Sequence, residues 1–230
     1  MQKQLIDFLL NYITPERARL FDKILQQRTS YITVVLEDIF QPQNASAVLR
    51  TCDCFGIQNV HVIENRNTFT VDREVAMGAS KWLTVTKYNK QKNNSLEAVR
   101  ALKSKGYRIV ATTPHTNDQL LPEFDIARGK TALVFGSELP GISEEVLNEA
   151  DEFLKIPMAG FTESFNLSVS AAIILFHLTE KIKQENKIDW LLSTSEKEEV
   201  MLQWLRRTIK KSQLLEKRFY ENLSGAGNKH

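Results

Sequence analysis

Hydrophobic and polar positions change period along the chain, and these changes predict strands and helices in alternation. Short β-branched and apolar runs predict five strands, at 31–39, 60–64, 108–114, 130–138 and 152–158. Segments with apolar residues at helical spacing predict helices at 44–56, 95–107 and 143–150. This alternation favours an α/β fold, with a mostly parallel sheet and helices on both of its faces.

Capping residues predict the ends of several helices. Asn44 is the predicted N-cap of the helix at 44–56, and Gly56 is its predicted end, because glycine readily adopts the left-handed conformation that terminates helices. Ser143 is the predicted N-cap of the helix at 143–150.

Helical segments outside the alternating unit define the predicted domain organisation. It has three parts: an N-terminal helical arm at 1–28, the α/β domain at 29–186 and a C-terminal helical extension at 187–230. The extension is predicted to hold one helix, at 196–223. A capping-box pattern precedes it, formed by Ser193 with Glu196 or by Ser195 with Glu198.

The stretch IPMAGFTESFNLSVSAAIILF, residues 156–176, joins a polar loop to a helix that has almost no polar face. The apolar run is too short to span a membrane, so no membrane partner is expected. The helix must therefore be buried against protein. Because a single sheet layer need not hide both faces of such a helix, the pattern predicts an obligate homodimer.

Composition and cysteine usage narrow the class of protein. With 230 residues, 42% of them hydrophobic and 25% charged, the chain can bury a substantial core. The start of the chain lacks the order of charges and apolar residues of a signal peptide. Cys52 and Cys54 would point to different faces of a helix, and C-x-C alone has too few ligands for a metal. We expect reduced thiols, no metal site and a cytoplasmic protein.

Polar loops follow three of the predicted strands, where a parallel α/β sheet binds its ligands. Their sequences are FQPQNASAVLR, VFGSELPG and IPMAGFTESFN. None contains the dinucleotide-binding G-x-G-x-x-G or the nucleotide-binding G-x-x-x-x-G-K-[ST]. A nucleotide-cofactor oxidoreductase is therefore a weak alternative. Ser137 also lacks the spacing of a hydrolase nucleophile elbow.

Taken together, the three loops resemble the motifs of the SPOUT superfamily, and within it the TrmH (SpoU) family of RNA ribose 2′-O-methyltransferases. The motifs occur in order, as N-x5-R from Asn44 to Arg50, then VFGSELPGIS, then IPMAGFTESFNLSVSAAIIL. The resemblance covers residues 30 to 180. Ser46 stands where the family commonly has glycine, and Phe165 where it usually has leucine.

The resemblance implies a fold and a cofactor. The last strand, loop and helix would form a deep trefoil knot, a rare exception to unknotted connections. The protein would be a homodimer whose active site draws on both protomers, and it would bind S-adenosylmethionine in a bent pose. Cofactor contacts are expected from Thr113, Gly136, Ile156, Ser164, Phe165 and Leu167.

The resemblance also implies the chemistry, in which a ribose 2′-hydroxyl loses a proton as it attacks the sulfonium methyl, without a metal. The family assigns the activating role to the arginine that matches Arg50. Since a guanidinium is a poor base, we expect Arg50 to orient the hydroxyl and the RNA phosphate. Asn44, Glu138 and Asn166 are expected to orient Arg50 and the substrate.

The substrate implied by the family's tRNA branch is guanosine 18 in the tRNA D-loop. Ribosomal RNA or another tRNA position is the alternative, and a non-catalytic RNA-binding relative would lack Arg50 or Asn166. Net charge is only +2, but residues 201–230 hold seven basic residues against two acidic ones. The residues predicted to bind RNA phosphates are Arg17, Arg19, Arg28, Arg206, Arg207, Lys210 and Lys211. A docked helix with a solvated charged face explains the same pattern.

Overall fold

A computed structural model describes residues 1–113, 119–186 and 188–226. The chain divides into two compact units. The larger runs from Thr29 to Trp190, and the smaller joins Met1–Arg28 to Leu191–His230. No helix among the described residues is long and apolar enough to cross a membrane.

Parallel strands form one seven-stranded sheet in the larger unit. In chain order they are β1 (Ile32–Glu37), β2 (Asn59–Ile63), β3 (Thr84–Tyr88), β4 (Arg108–Thr112), β5 (Gln119–Leu120), β6 (Thr131–Phe135) and β7 (Glu152–Lys155). Their order across the sheet is β3-β2-β1-β6-β4-β7-β5, and every pairing is parallel. The predicted α/β class and its parallel sheet are confirmed.

Two of these strands, β3 and β5, were not predicted. β3 lies at one edge of the sheet and leaves most of its side chains partly or fully exposed, so it lacks an apolar run. β5 has only two residues at the other edge. The strand predicted at 108–114 is confirmed as far as Thr112, and Pro114 lies outside the described residues.

Helices cover both faces of the sheet and also build the smaller unit. In chain order they are α1 (Gln2–Leu10), α2 (Pro15–Leu25), α3 (Pro42–Cys54), α4 (Arg73–Ala76), α5 (Asn94–Ser104), α6 (Glu144–Glu149), α7 (Leu167–Gln184), α8 (Thr194–Thr208) and α9 (Ser212–Ala226). Short 3₁₀ turns occur at 79–81, 121–123 and 126–128.

The core has two layers because alternate residues of a strand face opposite sides of the sheet. Val34 and Leu36 pack with side chains of α3 and α7, whereas Val35 packs with side chains of α5 and α6. Every residue of β1 is buried, as expected for a central strand covered on both faces. The carboxyl end of β1 therefore lies at an inner position of the sheet, two strands from the β3 edge.

The start of α3 differs from the prediction. Gln41 is the N-cap, and Pro42 is the first helical residue. The prediction of Asn44 as N-cap is wrong because proline's fixed φ suits the first position and begins the helix earlier. Asn44 therefore lies inside the first turn, with its side chain available for tertiary contacts. The predicted end at Gly56 is confirmed by its φ of 76°, and Ser143 is the N-cap of α6.

Within one chain, α7 buries only one side. Leu167, Ala171, Ile174, Leu175 and Leu178 are buried against the sheet and α3. Val169 and Phe176, however, are 44% and 58% exposed. The predicted burial of the whole apolar helix is therefore only half met by this chain alone.

The smaller unit is a helical cluster, in which α1 packs on α8 and α9, and α2 packs on α8. The capping box of Ser193 and Glu196 is confirmed. The prediction of one helix at 196–223 is wrong. The chain breaks between α8 and α9, where Ile209 is extended and Lys211 is left-handed with φ of 61°. The Ser212 hydroxyl stabilises the break by donating to the Arg206 carbonyl at 3.2 Å.

Candidate active site

Side chains from all three sequence motifs meet at the carboxyl edge of the sheet. Asn44 donates from Nδ2 to a carboxylate oxygen of Glu138, and its Oδ1 accepts from Nδ2 of Asn166 at 3.1 Å. Asn44 is buried, whereas Glu138 and Asn166 are exposed. The cluster therefore has a fixed, buried centre and two ends that solvent or a ligand can reach.

Neighbouring groups fix the direction of both amides. Gln41 Oε1 accepts from Asn44 Nδ2 at 3.1 Å, so the amide nitrogen of Asn44 faces two acceptors. Asn166 caps α7, and its Oδ1 accepts from the backbone N–H and the hydroxyl of Ser168, at 2.9 and 2.7 Å. Each amide oxygen thus accepts from a donor and each amide nitrogen donates to an acceptor.

The fold explains why these distant residues meet. β1 and β6 are adjacent parallel strands, so α3 and the turn that carries Glu138 leave the same edge of the sheet. α7 packs against α3, which brings the Asn166 cap to the first turn of α3. Chain segments more than 90 residues apart are thereby joined at one point.

Arg50 does not join this cluster within the chain. It follows Asn44 by six residues on α3, which turns its side chain about 120° away around the helix axis. Arg50 is exposed and makes no hydrogen bond or ion pair with any residue that the structure describes. The structure therefore brings together Asn44, Glu138 and Asn166 but leaves the predicted activating residue on another face of the same helix.

The turn that begins at position 136 requires glycine there. A Cβ at this position would lie 2.3 Å from the carbonyl carbon of Gly141 and from the nitrogen of Ile142. Real Cβ atoms do not approach backbone so closely, so only glycine fits. The turn folds back on the end of β6. Glu138 therefore lies on the outer side of the turn, where its side chain is exposed.

Sequence reasoning missed Glu37, a buried carboxylate that anchors the same turn. It ends β1 and is 1% exposed. Its two oxygens accept from the backbone N–H of Ser143 at 2.9 Å and from the Ser143 hydroxyl at 2.7 Å, and one also accepts from Ser95. The only sequence signal was an acidic residue that closes an apolar run, just before a motif loop.

The residues predicted to hold the cofactor lie mostly along neighbouring strand ends. Thr113, Gly136 and Ile156 directly follow β4, β6 and β7, which are adjacent in the sheet. The Thr113 N–H donates to the Leu154 carbonyl at 3.2 Å, which joins the first and last of these ends. Ser164 and Phe165 lie in the exposed loop beyond β7, and Leu167 is buried at the start of α7.

That loop has uncommitted backbone groups. Between Pro157 and Phe165, no backbone N–H or carbonyl bonds to another residue of the described chain. Such groups must be satisfied by water or by a ligand.

Ser46 has a structural role that the sequence did not reveal. Its buried hydroxyl accepts from the Asp72 N–H at 2.8 Å. The serine therefore ties α3 to the residue that caps α4.

Metal ligands do not cluster in the described ranges, where no group of three or more His, Cys, Asp or Glu side chains could hold an ion. Cys52 is buried and Cys54 is exposed, so they lie on different faces of α3 as predicted.

In the smaller unit, the predicted RNA-binding residues fall into two groups. Arg17, Lys210 and Lys211 line an open groove of about 1110 Å³, together with Lys217 and Arg218. Lys210 and Lys211 lie in the turn between α8 and α9, so Arg206, Lys210 and Lys217 do not share one helix face, as a single helix at 196–223 would have allowed.

The second group is engaged within the unit. Arg28 is 3% exposed and lies over the Trp204 ring at 5.4 Å, so it cannot reach RNA in this structure. Arg206 forms two 2.8 Å bonds to Glu216, whose carboxylate raises the pKa of Arg206. Arg19 pairs with Glu16 at 3.1 Å on the surface, and burial lowers the pKa of Arg207.

Comparison with known proteins extends these observations. Residues 31–176 match the model of the SpoU rRNA Methylase family. A protein from Borreliella burgdorferi named tRNA (guanosine(18)-2'-O)-methyltransferase is 43% identical over 92% of this chain and 94% of its own length. A protein of the same name from Thermus thermophilus is 34% identical over 84% of this chain and 98% of its own length.

A solved structure shares the fold. The A. aeolicus TrmH/SpoU tRNA modifying enzyme superposes with a TM-score of 0.74 and 27% identity. The match covers 85% of this chain and 98% of that chain. The similarity therefore extends over nearly the full length of the other protein.

Proposed function

This chain belongs to the SpoU rRNA methylase family, and we propose that it transfers a methyl group from S-adenosylmethionine to the ribose 2′-hydroxyl of guanosine 18 in tRNA. The observation that carries the proposal is the bonded cluster of Asn44, Glu138 and Asn166, because it unites all three motifs at one edge of the sheet. The names of the relatives support this nucleotide over ribosomal RNA or another tRNA position.

The carboxyl ends of β4, β6 and β7 fit the cofactor. Thr113, Gly136 and Ile156 leave adjacent strands, and the loop from Pro157 to Phe165 offers uncommitted backbone groups for a purine. Ile156 and Leu167 supply apolar surface at the two ends of that loop. When bound, S-adenosylmethionine supplies an electrophilic methyl group on its sulfonium.

The side chains of the cluster position the acceptor. Glu138 uses one carboxylate oxygen for Asn44, and the other has no partner in the described chain. This free oxygen accepts from a guanidinium and aims it at the ribose. The 2′-hydroxyl must lose its proton during attack, and a guanidinium cannot take it, so Arg50 orients the hydroxyl and the adjacent RNA phosphate, which accepts a hydrogen bond from the hydroxyl while the proton passes to water.

A homodimer would bring Arg50 to the cluster. The exposed side of α7 carries Val169 and Phe176, and the Phe176 ring lies 6.1 Å from that of Phe55, which follows α3. Exposed apolar side chains on adjacent helices form a surface suited to a second copy. With two copies joined there, Arg50 of the partner subunit completes a site whose Asn44, Glu138 and Asn166 come from the first.

The deep trefoil knot belongs to the same proposal. β7 lies between β4 and β5 in the sheet, although β5 precedes it in the chain. β4 and β5 are thus separated in the sheet by a strand that comes later in the chain, and α7, which follows that strand, packs on α3. Threading of 152–184 between these earlier parts of the chain would tie the cofactor loop to the dimer surface.

RNA binding by the smaller unit rests on its basic groove. Arg17, Lys210 and Lys211 are joined there by Lys217 and Arg218, and phosphate contacts of this kind position RNA without reading its sequence. Arg28 and Arg206 make no such contacts, because Arg28 lies over the Trp204 ring and Arg206 is paired with Glu216. We also propose that the chain acts in the cytoplasm. Its parts would be an α/β domain at 29–186 and helical segments at 1–28 and 187–230.

The test is a direct assay with labelled S-adenosylmethionine and unmodified tRNA or ribosomal RNA, followed by mass analysis of the nucleosides. We expect 2′-O-methylguanosine from tRNA, and its loss when nucleotide 18 carries a 2′-deoxyribose. Label that enters ribosomal RNA alone, or that stays in the deoxy substrate, would overturn the assignment.

A further inference from the structure

A small cavity adjoins the motif cluster on the β1 and β2 side of the sheet. Its volume is about 280 Å³, at the lower end of the range for small-molecule pockets and suited to a single nucleobase. Ser137 and Leu139, the two neighbours of Glu138, line it, together with Asp38, Phe40 and Arg66. We propose that this cavity holds the guanine base of the methylated nucleotide, and that Asp38 and Arg66 select guanine.

Asp38 is held rigidly, yet one of its carboxylate oxygens remains uncommitted. Its Oδ1 accepts from the backbone N–H groups of residues 65, 66 and 67, at 2.7, 2.8 and 3.3 Å. Its backbone has a φ of 51°, a left-handed conformation that aspartate and asparagine tolerate. Oδ2 has no partner in the described chain. Since an asparagine oxygen could anchor the same loop, the turn does not require the charge.

Arg66 provides the opposite charge at the same cavity without forming an ion pair there. Its backbone N–H donates to Asp38, but its exposed side chain makes no bond with the described residues. A carboxylate and a guanidinium that line one cavity and remain unpaired suit a ligand with separate donor and acceptor edges. A phosphate would suit Arg66 alone and would be repelled by the Asp38 carboxylate.

Guanine presents those two edges. Its N1–H and N2 amino group are donors for a carboxylate, and its O6 and N7 are acceptors for the fork of an arginine. Adenine presents an amino group where guanine has O6, and a bare ring nitrogen where guanine has N1–H. Both Asp38 and Arg66 would therefore reject adenine, which gives discrimination by mismatch as well as by attraction.

Apolar side chains at the cavity supply stacking surfaces. Phe40 is 71% exposed and Leu139 is 91% exposed, so both have faces free to cover a base. Leu139 directly follows Glu138 in the chain. A base between these side chains would put its ribose beside the cluster that orients the 2′-hydroxyl. The inference rests on the proposed function and adds the residues that read the base.

The experiment pairs each residue with the base atom that it would contact. tRNA with guanosine, inosine or 7-deazaguanosine at position 18 is assayed for kcat/KM with the native chain, Asp38→Asn and Arg66→Gln. Inosine lacks the N2 amino group and 7-deazaguanosine lacks N7. Asp38→Asn keeps the Oδ1 acceptor that holds the loop, and Arg66→Gln keeps the backbone N–H. Arg100→Gln, an exposed arginine on α5, is the matched control.

For the native chain, we expect each analogue to reduce kcat/KM about tenfold, the size of one lost base contact. In Asp38→Asn the inosine penalty should vanish while the 7-deazaguanosine penalty remains, and in Arg66→Gln the reverse should hold. S-adenosylmethionine affinity should not change, and the control should match the native chain.

If both analogues suffer their native penalties in both variants, the base is read elsewhere and the inference is wrong, even though methylation continues. If the native chain does not methylate guanosine 18 at all, the proposed function fails first and the inference fails with it.

Discussion

Asn44 and Arg50 lie on one helix, less than two turns apart, and their surroundings are opposite. Asn44 is buried and bonded on both sides of its amide, to Glu138 and to Asn166. Arg50 is exposed and bonded to nothing in the described chain. The difference teaches that α3 serves two sites: its Asn44 side completes a cluster within the chain, and its Arg50 side is available to another molecule.

Removing Arg50 should give the largest effect on catalysis. Arg50→Ala should reduce kcat roughly 10²- to 10⁴-fold, the usual range for a group that assists proton transfer. The free energy of unfolding should change by no more than about 1 kcal/mol, because the side chain is exposed and unpaired within the chain and an exposed ion pair to a second subunit adds little. Arg100→Ala is the control for the loss of an exposed arginine. Near-native turnover by Arg50→Ala would contradict the proposal that the Arg50 side of α3 takes part in catalysis.

His61 is buried and bonded within the chain, as Asn44 is. Its protonation should make the free energy of unfolding depend on pH. It is buried, bonds to the Tyr88 hydroxyl at 3.0 Å, and burial lowers its pKa to about 4. The unfolded chain has a histidine pKa near 6.5 and so binds the proton first. Stability should therefore be complete above pH 6.5 and fall by about 3 kcal/mol as the pH drops to about 4.

Denaturant unfolding of the native chain and of His61→Gln measures this effect. The variant should be less stable at pH 7 and should lose much of the slope between pH 6.5 and 4. His177→Gln is the comparison, since burial also lowers the pKa of that half-buried histidine. An equal slope in the native chain and in His61→Gln would exclude His61 as the source.

Removing Asn44 should affect stability as well as catalysis. Asn44→Ala removes the hydrogen bonds to Glu138 and Asn166, each worth about 0.5–1.5 kcal/mol net, so we expect a loss of about 1–3 kcal/mol together with reduced kcat. Gln43→Ala, at the exposed neighbouring position, should change neither. Chemical denaturation and turnover should both be recorded. A fully stable Asn44→Ala would mean that its hydrogen bonds contribute little to holding the motifs together.

The smallest effect should come from the basic groove of the smaller unit. There too, side chains that are available to another molecule can be compared with one that is bonded within the chain. Lys210 and Lys211 line the groove, whereas Arg206 is committed to Glu216. The double variant Lys210→Gln/Lys211→Gln should raise the tRNA KM several-fold and reduce the salt slope of binding by about two. Arg206→Gln should leave the slope nearly unchanged. Equal slopes in the double variant and the native chain would exclude the groove as the RNA site.

Sequence patterns predicted what depends on local periodicity. Five strands, the end of α3 at Gly56 and the capping box before α8 were predictable because each is encoded by adjacent residues. β3 was not, since an edge strand needs no apolar run. The break at Lys211 was not, because basic and apolar spacing continues across it, and it is stabilised by a bond from the Ser212 hydroxyl at the start of α9 to the Arg206 carbonyl in α8.

The candidate site, like the fold, could be predicted from the sequence only in part. The motifs identified Asn44, Glu138 and Asn166, but not their bonds to one another, which join residues 94 and 122 positions apart. Glu37 carried no motif signal, and only the fold reveals that it holds Ser143. Arg28 was assigned to RNA from its charge, yet Trp204 covers it.

The most direct test of a shared active site is complementation between two inactive variants. Arg50→Ala and Glu138→Ala are coexpressed with different tags, and the mixed dimer is purified and assayed on tRNA. If Arg50 and Glu138 of one site come from different subunits, one of the two sites in the mixed dimer is intact, so about half of native activity should return. If each site takes both residues from one chain, or if no dimer forms, activity should stay at the level of the single variants, which would contradict the account.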